Sequence, residues 1–216
     1  KTITENGTYN MLEDKTVTVD LPNLLSGVLD KSISGDLYLD TEFDFLPREM
    51  FMNCENLRSI NLPNFSGEVL SDTITGALNL EEFLVPNAKS VTRISFTDTP
   101  KLKKIDIRNV TQIGQFCFRG AGMLEYPVIL LKPVDFSHSD YVAISAKEVR
   151  MCKEPTFIRS GTFSRPVYNW YLGFSEERAA ELGFPWGASQ MKSVHYNVIF
   201  DEEGNIIDEG DGPSQP

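Results

Sequence analysis

Two histidines, three cysteines and 31 acidic residues make up the reactive inventory of this chain, and they fall into no pattern that a catalytic site requires. Ser137-His138-Ser139-Asp140 contains the residue types of a serine-hydrolase triad. Triad members must converge in space from separate elements, which four consecutive residues do not do, so the segment reads as a polar loop. His195 alternates with Val194 and Tyr196 in a strand-like run and reads as a surface or cap residue. Asp201-Glu202-Glu203-Gly204-Asn205 lacks the alternating ligands and following Glu of a calcium loop, so a solvated hairpin turn is expected. Cys54, Cys117 and Cys152 are odd in number and widely separated, with no CxxC pair, which points away from zinc and from a disulfide framework. There is no phosphate-cradling Gly-rich loop. Glycoside hydrolysis needs two carboxylates about 5–10 Å apart, and nothing among the acids selects such a pair. No catalytic residues, metal, cofactor or enzymatic activity are expected.

Residues suited to recognition, by contrast, are evenly spaced. One series reads Tyr38, Asn61, Leu84, Asp106, Val128, Arg150, and its neighbour Asp36, Ser59, Glu82, Lys104, Tyr126, Glu148. Mixed polar groups with tyrosines, which offer rigid area and a hydroxyl, suit contact with a protein or a glycan. Tyr38, Asn61, Lys104, Asp106, Tyr126 and Arg150 are therefore the candidate binding residues. A plain solvated face, or one covered by the termini, is the alternative, and connecting loops are a second place where binding could reside.

Hydrophobic periodicity positions both series. Phe51, Ile74, Phe96 and Phe118 form one column, and Leu57, Leu80, Leu102 and Leu124 a second. Ile60, Phe83, Ile105 and Pro127 form a third, and Leu62, Val85, Ile107 and Ile129 a fourth, every column stepping by 23, 22 and 22 residues. Such a period marks a leucine-rich-repeat solenoid, in which no single coil can bury its apolar face alone. The expected fold is β-rich and right-handed, with about six coils of 22–23 residues and a parallel strand ladder. Extended by the same step, the columns place strands near 37–39, 60–62, 83–85, 105–107, 127–129 and 149–151. Cys54 takes a position filled by Ala77, Thr99 and Ala121 in later coils and reads as a buried thiol. Pro63 and Pro86 close strands, and Asn64, Asn87 and Asn109 are placed to hydrogen-bond the backbone at coil corners.

The flanks read differently. Residues 1–25 form an N-terminal β cap, with a hairpin signal at Asn6-Gly7 and a strand at Lys15–Val19. Residues 26–155 form the solenoid. Residues 156–207 form a C-terminal cap with a strand at Val167–Tyr171, a short helix N-capped by Ser175 and ended by Gly183, and a β hairpin turned at Asp201–Gly204. Residues 208–216 have the composition of a disordered tail.

A net charge of −11 argues against phosphate-backbone binding, so no nucleic-acid partner is expected. The charge is uneven: Val85 to Arg165 holds 13 basic against 7 acidic residues, whereas Asp201–Gly212 holds six acids and no base. The basic stretch reads as a solvated flank, or else as a docking patch for something acidic. No apolar run approaches the roughly 20 residues that span a bilayer, so no membrane insertion is expected. The chain opens on Lys1, which suggests an upstream segment, and a missing leader is then silent about compartment.

Phe51-x-x-Cys54-x-x-Leu57-x-x-Ile60-x-Leu62-Pro63 resembles the BspA-type leucine-rich repeat, with good agreement at Leu80–Pro86 and Leu102–Asn109 and a weaker one after Leu124. That resemblance covers about 120 residues and implies a surface protein of gut or oral bacteria. The opening Thr2–Tyr9 with Val17–Val19 resembles a short β module of phage and prophage tail-associated proteins. Together the resemblances imply an extracellular or cell-surface adhesion protein whose partner is a protein or glycan on a host or bacterial surface. The alternatives are a structural component of a phage tail, bound to another tail protein in a virion, and, more remotely, a carbohydrate-active enzyme.

Overall fold

Leu37, Ile60, Phe83 and Ile105 are direct partners across four parallel strands: β4 (Gly35–Leu39), β5 (Leu57–Asn61), β7 (Glu82–Leu84) and β9 (Lys104–Asp106). All four side chains are buried, because alternate residues of a strand point to the same face. The computed structural model describes residues 2–3, 8–10, 16–18, 29–93, 95–115, 117–137 and 141–214. It is a leucine-rich-repeat β-solenoid of about seven turns with little helix.

Three columns of coil-to-coil contacts hold the turns together. The first is the main ladder, in which β1 (Thr2–Ile3) lies outside β4, so that Thr2–Ile3 joins the solenoid sheet itself. A second, shorter parallel ladder joins β6 (Glu68–Val69), β8 (Ser90–Val91) and β10 (Gln112–Ile113), and bridges carry it on to Asp135 and Phe157. The third runs through the turns. There the amides of Phe51, Phe96, Phe118 and Phe163 donate to the carbonyls of Thr73, Cys117, Val142 and Trp186 at 2.7–3.1 Å. Outside the N-terminal hairpin of β2 (Thr8–Asn10) and β3 (Thr16–Thr18), these columns account for the repeat. The Asn6-Gly7 turn lies outside the described residues.

The Phe51 and Leu57 columns are buried at every coil, and Cys54 is buried with them. At the corners the three asparagines do what their spacing predicts. Asn64 donates through Nδ2 to the Asp40 carbonyl (2.5 Å), Asn87 to that of Pro63 (2.7 Å) and Asn109 to that of Pro86 (2.7 Å). A further column escaped the sequence reading: Asn53, Gly76, Asp98 and Gly120 take positive φ of 61°, 75°, 53° and 78° at the same 23, 22 and 22 step. Asn, Asp and Gly are the residues that enter this left-handed region at least cost.

The register differs from expectation at Pro127. Val128 pairs with Val149 and Leu130 with Met151 in β11 (Val128–Leu130) and β12 (Ala146–Met151). Val128 and Leu130 are buried while Pro127 and Ile129 are half-exposed, so the inward positions expected at Pro127 and Ile129 are each displaced by one residue. Pro127 has no N–H to give to the ladder, and the main sheet accordingly divides into two five-stranded sheets between β9 and β11.

Beyond residue 155 the coiling continues instead of giving way to a separate cap. β13 (Val167–Leu172) and β14 (Ser193–Tyr196) extend the parallel ladder, with Val149, Trp170 and Val194 as partners. The steps of 21 and 24 residues between those partners break the 22-residue rhythm that had revealed the earlier coils. Trp170 and Trp186, both fully buried, pack at 5.7 Å with Phe163 and Phe184 around them. Helix α1 (Glu176–Glu181) is capped by Ser175, which accepts from the Arg178 amide, and ends at Gly183. The hairpin forms as expected from β15 (Ile199–Phe200) and β16 (Ile206–Asp208). The stretch expected to be a disordered tail contains β17 (Asp211–Ser214), antiparallel to β14. The open edge of the last parallel strand supplies unpaired backbone groups that recruit it.

Candidate functional site

The outward column follows from the register. Tyr38, Asn61, Leu84 and Asp106 are successive partners in the first sheet, and Ile129, Arg150, Tyr171 and His195 in the second. Val128 therefore leaves the outward series and Ile129 replaces it. Four of the six candidates converge: Lys104, Asp106, Tyr126 and Arg150 line one cleft of about 250 Å³, together with Arg108 and Asn205. Tyr38 and Asn61 pair with each other further up the same face, outside the cleft.

The charged groups of the cleft are mostly satisfied in pairs. Arg108 donates to both oxygens of Asp106, from Nε at 2.9 Å to Oδ1 and from Nη2 at 2.7 Å to Oδ2. The hydrogen bond to that carboxylate, more than charge alone, holds the guanidinium in its charged form. Arg150 donates from Nε to Glu148 at 2.5 Å. Lys104 is different: its ammonium lies 5.4 Å from the centre of the Tyr126 ring, and among the described residues no carboxylate lies within ion-pair distance of it. Tyr126 is 49% exposed and forms an open aromatic wall.

Coils stacked in this way at a 22-residue period, with Phe, Leu and Ile columns inside, have a counterpart among known families. Residues 36–139 match the BspA type leucine-rich repeat region, in six copies. No curated protein and no solved structure matches the chain. Lys104, Asp106, Arg108 and Tyr126 lie inside the BspA-type segment, and Arg150 and Asn205 beyond it, so the cleft forms where that segment meets the coils that follow.

The hairpin after the BspA-type segment folds back onto its last coils. A Cβ on Gly204 would lie 2.4 Å from Cγ2 of Ile129, and φ there is +85°, so glycine is what allows the turn to close onto the sheet. The Gly204 carbonyl accepts from Nη1 of Arg150 at 3.0 Å. Asp201 holds the turn by accepting from the amides of Glu203 and Asn205 and from Nδ2 of Asn205, each at 2.9 Å. Those bonds, first of all the side-chain bond from Asn205, pull its carboxyl below the usual range. Asn205 is thereby fixed at the rim of the cleft. Glu203 adds to the electrostatic field that keeps Arg108 charged. The acidic C-terminal stretch thus sits against the basic middle of the same chain. Arg108 was not singled out in the sequence, and Gly204 and Asn205 were read only as part of a solvated hairpin turn; the opposite charge of these two stretches is the signal that could have pointed to their meeting.

His195, expected at the surface or in the cap, is buried at 6% exposure. It stacks on Tyr171 at 4.3 Å with 7° between the rings, and β17 runs beside it in the sheet, with Gly212 close to Nδ1. That nitrogen is 3.9 Å from Oε2 of Glu209. His138, Ser139 and Asp140 lie outside the described residues. Among the described residues no cluster of three or more His, Cys, Asp or Glu side chains could hold a metal ion. None of the described helices is long and apolar enough to cross a membrane.

Proposed function

We propose that this chain is a non-enzymatic recognition module that acts outside the cell, binding a protein or glycan on a host or bacterial surface through the cleft at Lys104, Asp106, Tyr126 and Arg150. One observation carries the reading: residues from β9, the segment before β11, β12 and a hairpin, with Tyr126, Arg150 and Asn205 lying 22 to 101 positions from Lys104 in sequence, meet around one concavity with an exposed aromatic wall. Leucine-rich repeats suit this role because a rigid stack of coils fixes the spacing of side chains that each coil contributes singly. The match to the BspA type repeat and the implied surface location of that family support it further. Absence of catalysis is part of the proposal. Asp106, which lines the cleft, and Glu148 beside it are engaged by arginines, which argues against these two serving as an acid and nucleophile pair.

The test is a glycan and host-protein array probed with wild type and with a Lys104→Ala/Tyr126→Ala double variant. Loss of a wild-type signal in the variant supports the cleft as the site. Equal binding by both proteins places recognition elsewhere on the solenoid, and turnover in a glycan-hydrolysis screen defeats the non-enzymatic reading. A role inside a phage tail, favoured by the opening Thr2–Tyr9 segment, predicts instead that the chain co-purifies with tail particles and that its array is blank.

A further inference from the structure

We infer that the cleft is built for a pyranose bearing a single carboxylate, a uronic or sialic acid unit of a glycan. The inference rests on the recognition reading above and adds the chemistry of the ligand. Charge sets the first requirement. Asp106 is paired with Arg108 and Glu148 with Arg150, so among the charged groups lining the cleft Lys104 is the cation with no carboxylate within ion-pair distance. One uncompensated cation in a recess calls for one anionic group. The chain as a whole carries −11, so a recess lined by three cations, Lys104, Arg108 and Arg150, and one carboxylate, Asp106, runs against the general charge of the molecule.

Size and surface set the second. A volume of about 250 Å³ lies below the range of roughly 300–1,000 Å³ typical of pockets for drug-sized ligands, and accommodates one sugar ring better than a larger group. The Tyr126 face offers a flat apolar wall on which the C–H side of a pyranose can lie. The cleft also carries an acceptor, the Asp106 carboxylate, and a side-chain amide, Asn205. A carboxylate acceptor is matched by sugar hydroxyls, which donate. The acid of an Asp or Glu side chain in a peptide would answer Lys104 but would bring no ring hydroxyls to Asp106 and would leave the Tyr126 wall unused. An acidic saccharide answers Lys104, Asp106 and Tyr126 at once.

The experiment is isothermal titration calorimetry of the full chain with four probes. These are a glucuronate-terminated oligosaccharide, a sialic acid-terminated oligosaccharide, a neutral glucose-terminated analogue and an acidic peptide. Each is run on wild type, Lys104→Gln, Tyr126→Ala and, as a surface control, Lys89→Gln. At least one acidic saccharide is expected to bind wild type and Lys89→Gln equally, and about tenfold more weakly to Lys104→Gln and to Tyr126→Ala, as loss of one charge-assisted contact implies. Which of the two acidic saccharides binds identifies the source. Equal binding of the neutral analogue, lost in Tyr126→Ala, overturns the carboxylate requirement and leaves the cleft as a recognition site. Binding of the acidic peptide alone, or of no saccharide at all, overturns the inference, while a protein captured through the same cleft would leave the recognition reading standing.

Discussion

The side-chain amide of Asn87 donates to the carbonyl of Pro63, one coil earlier, at 2.7 Å. Pro63 lies directly before Asn64, which makes the corresponding bond to Asp40, and the carbonyl of Pro86, directly before Asn87, accepts the bond of Asn109. Each corner is thus tied to the corner before it by the residue that follows the strand. Proline ends the strand and presents a carbonyl with no competing N–H of its own, and the asparagine of the next coil takes that carbonyl up.

Asn87→Ala removes the donor from one corner. Because the bond is exposed, the expected loss of stability is modest, about 0.5–1.5 kcal/mol. Urea denaturation would show it as a lower midpoint with unchanged slope. Asn87→Asp, which has the shape but not the donor, is expected to cost at least as much.

Gly76→Ala is expected to be more harmful than its size suggests. The residue sits at φ +75°, and a Cβ would lie 2.3 Å from Oδ1 of Asn53. The left-handed conformation alone costs about 1–2 kcal/mol in a residue with a Cβ, and the clash adds to it. Asn53→Gly should relieve the clash, so the double variant is expected to be more stable than the sum of the two single losses predicts. An additive double-mutant cycle would show that the two residues do not press on each other.

The displaced register at Pro127 has a direct test. Leu130→Ala should cost about 2–5 kcal/mol, the usual range for emptying a buried leucine site, and Ile129→Ala considerably less. Thermal or urea unfolding of the two variants decides it. A larger loss at Ile129 would restore the register that the 22-residue step suggests.

Alkaline pH should weaken the fold. Burial raises the Cys54 thiol from 9.0 to about 11, and burial raises Cys152 likewise. Burial also lifts Tyr171 and Tyr196 above the ordinary phenol value. In each case the folded state prefers the protonated form. The stability this contributes is fully present below the unfolded pKa and is lost as pH rises through the folded value. Urea midpoints are therefore expected to fall between about pH 9 and 11, and less steeply in Cys54→Ala. In native protein near pH 8, a thiol reagent should modify Cys54 no faster than the chain unfolds.

The part of the fold visible in the sequence is the part whose period is constant. The Phe51, Leu57 and Ile60 columns recur at 23, 22 and 22, and their burial and pairing follow as far as Ile105. At Pro127 one residue is displaced, and from Trp170 to Val194 the coil lengthens. A fixed step cannot follow such changes, because a shift of one residue exchanges the two faces of a strand. The same limit governs the cleft. Lys104, Asp106, Tyr126 and Arg150 come from a regular series and were identifiable. Arg108 points into the cleft from the corner after its strand, and Asn205 arrives on a hairpin with no place in the repeat. Alternation shows which face His195 takes but not whether that residue is covered, and β17, the strand paired beside it, comes from a segment whose composition suggests no structure.

The seam at Pro127 also bears on how such a molecule can change over generations. Upstream of it, coils of nearly equal length repeat the same corner, turn and core positions, so gain or loss of a whole coil alters the reach of the stack and little else. Downstream, unequal coils, a tryptophan-filled interior and a returning hairpin form a unit with no interchangeable parts. The cleft lies across the boundary, taking Lys104 and Asp106 from the last strand of the regular stack and Arg150 and Asn205 from the irregular one. Duplication can therefore lengthen the stack that carries the cleft without disturbing its geometry, while the side chains that line it are left to point substitution.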